Sequence, residues 1–121
     1  MIIRYTADHE WIAINGEIAT VGITEHAQSL LGDLVFVQLP HVGKEVALGS
    51  ESGTVESVKA ASDVFAPLSG TIVEVNSAVV EDPSLVNSDA MGSGWLFKLR
   101  YHDASELNAL LSESDYRKLA Q

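Results

Sequence analysis

No cysteine occurs among the 121 residues, which excludes a disulfide framework, a thiolate metal site and a protein-borne thiol nucleophile. Any sulfur redox chemistry has to be imported on another group. Basic residues are scarce: 7 Lys and Arg against 17 Asp and Glu leave a formal net charge of -10. Nucleic-acid affinity depends on neutralising phosphates, so this balance argues against a nucleic-acid partner. Basic or zwitterionic partners are favoured, although acidity also simply keeps a chain soluble. Long apolar runs are missing too. None approaches the roughly 20 residues of a membrane helix, and Met1-Ile2-Ile3-Arg4 lacks a signal peptide's basic start and long apolar region. No membrane attachment and a cytoplasmic location are therefore expected.

What is present suits a packed fold. Hydrophobic residues make up 46% and charged residues 20%, and the length fits a single domain over residues 1–121. Asn15-Gly16 lies between Trp11-Ile12-Ala13-Ile14 and Ile18-Ala19-Thr20-Val21, which predicts a tight hairpin. Thr24 is placed to cap a short helix through Leu31, with Glu25 in its first turn and Gly32 as its stop. Leu34 to Leu39 is rich in strand formers, ends at Pro40, and reads as a buried strand; Val42 to Val46 reads as a polar connection. Gly53-Thr54-Val55-Glu56-Ser57-Val58-Lys59 is echoed by Gly70-Thr71-Ile72-Val73-Glu74-Val75-Asn76, which hints at a quasi-symmetric β structure. From Ser105 the spacing of Leu107, Leu110 and Leu111 is helical, with Asp103 or Ser105 as cap, and Ser112-x-x-Asp115 marks a second helix start. Short strands with small flanking helices predict a compact β sandwich or barrel.

Lys59 carries the chemical interest. It lies between two β-like runs, so it falls near the tip of an exposed connecting turn. A lone turn lysine is ordinarily just a solvated charge. Acylation of a lysine, however, requires the neutral amine to protrude from a rigid scaffold and reach an activated carbonyl in defined geometry, and a hairpin tip supplies that.

The flanking residues make the case specific. Glu56-Ser57-Val58-Lys59-Ala60, followed by Ser62 to Pro67 and Ser69-Gly70, resembles the lipoylation segment of glycine cleavage H proteins. Further matching pieces run in the same order along the chain: His9-Glu10-Trp11, Gly22 to Gln28, Leu31-Gly32-Asp33, Val35-Phe36-Val37, Leu39-Pro40, Pro83 to Asn87 and Gly94-Trp95-Leu96. Departures are minor: a short lead-in at Met1-Ile2-Ile3 and an unfamiliar loop at Ala90 to Ser93.

The resemblance implies a mainly β lipoyl/biotinyl-type sandwich, the barrel-sandwich hybrid, with short flanking helices and C-terminal helices. It also implies lipoic acid bound covalently to Lys59. The implied partners are a glycine decarboxylase that loads an aminomethyl group, an aminomethyltransferase that removes it, a dihydrolipoamide dehydrogenase that reoxidises the dithiol, and a lipoate-attaching enzyme. The chain would be a carrier and not itself an enzyme. Glu56 is the candidate for recognition by the attaching enzyme. A sulfur-bound aminomethyl group would be protected in a cleft that excludes water, and its ammonium needs a counter-charge. Glu10 and Asp63 are the candidates, with Asp8 a third, against the plain alternative that all three are solvated acids.

Other readings fit less well. His9-Glu10 begins a zinc-type His-Glu-x-x-His motif, but Ala13 stands at the second histidine position, and His26, His41 and His102 are scattered. Biotin carriers typically flank their lysine with methionines, where this chain has Val58 and Ala60. A lipoyl or biotinyl carrier domain of another multienzyme complex is the nearest alternative, and a purely structural acidic adaptor is a more remote one. Trp11, Phe36, Phe65, Trp95 and Phe97 are assigned to core packing.

Overall fold

The computed structural model describes residues 1–120. Its first hairpin forms from alternating apolar residues: β1 (Ile2–Tyr5) pairs antiparallel with β2 (Glu10–Asn15), and β2 with β3 (Ile18–Ile23). Asn15 pairs with Ile18, so the two turn residues are Gly16 and Glu17, one position later than Asn15-Gly16. Gly16 takes φ 63°, and a hairpin with a left-handed residue only at its first central position needs glycine there.

Helix α1 (Glu25–Leu31) starts and stops as its sequence predicts. Thr24 accepts from the Ala27 N–H, Glu25 lies in the first turn, and Gly32 closes the end at φ 84°. Next come β4 (Leu34–Gln38) and β5 (Glu45–Val46), then β6 (Glu51–Ser57), β7 (Ala61–Phe65) and β8 (Gly70–Val75). Two short helices, α2 (Ser77–Glu81) and α3 (Ser84–Ser88), lead to β9 (Phe97–Tyr101). A 3-10 helix (Ala104–Ala109) and α4 (Glu113–Ala120) follow it.

The strands make two antiparallel sheets, ordered β1-β2-β3-β9-β8-β5 and β4-β6-β7. Ile12, Ile14, Val21, Ile72, Phe97 and Leu99 of the large sheet share one buried cluster with Leu34, Val37, Val55 and Val64 of the small one. Each of these side chains contributes about 1.5–3 kcal/mol by leaving water, which makes the sandwich core the main force holding the sheets. The mainly β sandwich with flanking and C-terminal helices is thus observed. The two echoing stretches form β6 and β8, in separate sheets.

Some local expectations need correction. β4 is not a buried strand: only Leu34 and Val37 point inward, while Val35 and Phe36 are exposed. A register shift between Leu34 and Phe36 against β6 inserts an extra residue and turns both outward, at the edge of a three-stranded sheet. Phe36 therefore leaves the packing set, whereas Trp11 and Phe97 are buried and Phe65 and Trp95 are half-buried. The connection after Val42 contains β5, whose Glu45 and Val46 pair with Thr71 and Gly70. The helical spacing after Ser105 is realised as a 3-10 helix, capped by the Asp103 carboxylate on the Ser105 N–H, and not as an α-helix.

Candidate functional site

Lys59 stands on the hairpin joining β6 to β7, where Glu56 pairs with Ala61. The turn Ser57-Val58-Lys59-Ala60 is closed by the Ser57 N–H on the Ala60 carbonyl at 2.7 Å. Ser57 itself is buried at 8% exposure, and its hydroxyl works inside the turn. Its Oγ accepts from the N–H groups of Lys59 (3.3 Å) and Ala60 (3.1 Å) and donates to the Ala60 carbonyl (3.2 Å). The two N–H groups gain from this a partner inside the tight turn. The consequence is a stiff tip bearing an exposed lysine and Val58 at 79% exposure. The ion pairs among the described residues join Lys98 to Glu74, His102 to Glu45 and Arg117 to Glu113, and Lys59 takes part in none.

Glu10 is a buried acid. It opens β2 after the turn Thr6 to His9, where the His9 backbone adopts φ 67° and its carbonyl accepts from Thr24 N–H at 2.9 Å. Its carboxylate is 2% exposed. Oε2 accepts from the Phe65 N–H at 2.8 Å and Oε1 from the Thr6 hydroxyl at 3.0 Å. Its pKa is raised from 4.5 to about 7, chiefly by burial and in smaller part by Asp8, against the opposing pull of the two hydrogen bonds. A carboxyl so placed is poised to gain strongly from a cation.

The other candidates are distributed around these two. Asp8 is exposed and lines, with Glu10, Thr6, Leu48, Phe65 and Pro67, a shallow cavity of about 160 Å³. Asp63 is exposed on β7, opposite Thr54, whose hydroxyl lies 3.4 Å from its Oδ1. It is not part of that cavity, but it sits two residues before Phe65 on the strand that runs from the Lys59 turn to Glu10. Glu56 is exposed on β6, three residues before the lysine. Glu10 and Asp8 thus share one cavity, whereas Asp63, on β7, and Lys59, on the hairpin before it, lie outside that cavity. A larger groove, about 660 Å³, crosses the outer face of the six-stranded sheet beside Trp11 and Trp95 and includes none of these residues.

Ser57 is a site residue that sequence reasoning did not single out. The signal was present, since a serine two residues before a turn lysine favours a side-chain-capped turn. Among the described residues no group of three or more His, Asp or Glu side chains is arranged to hold a metal ion.

A β sandwich that presents an exposed lysine on a side-chain-braced hairpin is the arrangement that a carrier of a covalently attached group requires. The comparisons place the chain among such carriers. The family model for the glycine cleavage H-protein matches residues 3–121. The chain is 52% identical over 119 residues to a glycine cleavage system H protein of Parvibaculum lavamentivorans, covering 98% of this chain and 95% of that one. It is 51% identical to the protein of that name from Carboxydothermus hydrogenoformans, covering 98% and 92%. A crystal structure of a glycine cleavage system H protein from Mycobacterium marinum superposes with a TM-score of 0.85 at 46% identity, covering 96% of this chain and 94% of that one. The chain belongs to the glycine cleavage H-protein family, a family of lipoyl carriers and not of enzymes.

Proposed function

We propose that residues 1–121 act as a single carrier domain with lipoic acid joined by an amide to Nζ of Lys59. The observation that carries this is the lysine's setting: a protruding, unpaired amine on a turn braced by its neighbour Ser57. These residues fit the group, because attachment needs only an accessible amine and room for a partner to approach. In the attachment step the neutral amine attacks an activated lipoyl carbonyl. The C–N bond forms, the activating group departs with its bonding electrons, and the amine's surplus proton passes to solvent. Glu56, exposed on the same hairpin, is the proposed contact for the attaching enzyme.

When bound, the lipoyl group supplies a disulfide that accepts an aminomethyl unit and is afterwards reoxidised from the dithiol. The chain's own residues hold and shield. Glu10, ionised at neutral pH once a cation lies beside it, is the proposed counter-charge for the cargo's ammonium, with Asp63 along β7 and Asp8 at the cavity rim adding negative potential. The apolar walls at Leu48, Phe65 and Pro67 keep water from the cargo. Glycine decarboxylase, aminomethyltransferase and dihydrolipoamide dehydrogenase are the proposed stations, and the tether gives each a high local concentration of the arm. The cytoplasm is the proposed location, since a dithiol cargo has to be kept from an oxidising compartment. Reconstitution tests the reading: the lipoylated chain restores glycine-dependent turnover to the three enzymes, and Lys59→Arg, which keeps the charge but cannot form the amide, does not. Equal turnover with Lys59→Arg would refute it.

A further inference from the structure

Asn87, on α3, holds the passage from α1 to β4 with one side chain. Its Oδ1 accepts from the Leu34 N–H at 2.9 Å, and its Nδ2 donates to the Gln28 side-chain carbonyl and to the Gly32 carbonyl, each at 2.9 Å. The partners belong to α1, to the turn that follows it, and to the start of β4. A carboxamide has the two donors and the acceptor this requires, and no carboxylate or hydroxyl of similar size does. Gly32 is held from its other side as well, since its N–H donates to the Gln28 backbone carbonyl at 3.0 Å.

The end of the Lys59 side chain passes Gly32, with room left for no more than a methyl group between them. A Cβ built on Gly32 would stand 3.5 Å from Lys59 Cε and 3.8 Å from Nζ. The glycine also has φ 84°, so any side chain there would be strained as well as filling the space. A flexible four-carbon side chain from the β6–β7 hairpin thus passes over a bare stretch of backbone from a different part of the chain, and Asn87 fixes that backbone.

We propose that Asn87 is a positioning residue for the lipoyl arm: by clamping the Gly32 carbonyl it maintains a side-chain-free seat for the Lys59 stem and so sets the direction in which the amine leaves the hairpin. This rests on Lys59 as the attachment point. A lysine already laid on its seat has less rotamer freedom to lose when the attaching enzyme docks, so the seat acts on recognition and leaves the chemical step alone. A residue that merely stitched α3 to α1 would alter melting temperature without altering the direction of the Lys59 stem or the attaching enzyme's KM.

The full unmodified chain provides the test. Asn87→Asp keeps the shape and the acceptor for Leu34 but sets oxygen against the Gly32 and Gln28 carbonyls. Gln28→Ala removes one partner of Asn87 while leaving the bond to Gly32. A nuclear Overhauser effect between the Lys59 ε-methylene and the Gly32 α-protons reads the seat, and KM and kcat for the lipoate-attaching enzyme read its consequence. The expected result is the Overhauser contact in wild type and Gln28→Ala and its loss in Asn87→Asp. KM for the carrier should rise by about threefold to tenfold in Asn87→Asp alone, with kcat unchanged and modification still reaching completion. Asn87→Ala, measured identically, replaces the aspartate variant if that one does not fold. Absence of the contact in wild type, a wild-type KM without the clamp, or an equal rise in Gln28→Ala overturns the proposal. A wild-type chain left unmodified by a competent enzyme refutes Lys59 as attachment point instead, and the Overhauser contact is read independently of that outcome.

Discussion

Glu10 illustrates what a single residue costs and provides. Its folded pKa of about 7 stands above the ordinary 4.5, so between those values the folded chain binds more protons than the unfolded one. Stability therefore declines as pH rises through that window, and above it the ionised carboxylate costs about 3 kcal/mol. Glu10→Gln resembles the protonated acid, donating to Thr6 and accepting from Phe65. Urea unfolding from pH 4 to 8 should show the variant gaining on wild type as pH rises, by up to about 3 kcal/mol, with the gain vanishing near pH 4.5. A difference independent of pH would mean that the carboxylate is not held in a desolvated site. The acid's place in His9-Glu10-Trp11 was visible in the sequence. Its burial was not, because nothing local reveals that the N–H of Phe65, on another strand, closes over it.

Hairpins and helix contacts are where prediction from sequence succeeded and failed for identifiable reasons. The caps of α1 and α4 were legible because Thr24 and Ser112 act on N–H groups three residues away, and both bonds form. α2 and α3 were not, since five residues give too little periodicity to read. Outward-facing Val35 and Phe36 were mistaken for core because one inserted residue reverses the alternation on which the inference depends. The lysine turn depends on Ser57, and Ser57→Ala removes the acceptor for two turn N–H groups. That change should cost about 1–3 kcal/mol and speed amide hydrogen exchange at Lys59 and Ala60; unchanged exchange there would show that the hydroxyl does not brace the tip. The docking of α4 depends on Tyr116, which stacks on Tyr5 at 4.7 Å. Its hydroxyl meets Thr24 Oγ1 at 2.7 Å and His9 Nδ1 at 2.8 Å. Tyr116→Phe keeps the stack and loses both bonds, so a loss of about 1–2 kcal/mol in urea unfolding is expected, and no loss would leave the stack as the whole attachment.

At the scale of the whole molecule, the net charge of -10 and the lysine presented on the hairpin tip act together. A carrier that visits several partners gains from fast, reversible encounters, and a strongly acidic net charge favours these when partner surfaces are basic. KM for the attaching enzyme should accordingly rise several-fold between low and high ionic strength, and a salt-independent KM would remove steering from the account. Lys59, the proposed attachment point, could be picked out in the sequence because its flanking residues form a short contiguous pattern. The seat at Gly32 and the clamp at Asn87 could not, because they arise only when distant segments meet. The most direct test of the central claim is intact-mass analysis, with peptide mapping, of the chain produced alongside a competent lipoate-attaching enzyme. The account predicts one lipoyl group, located on Lys59 and lost in Lys59→Arg; a folded chain with a bare Lys59, or with the group on Lys44, Lys98 or Lys118, would contradict it.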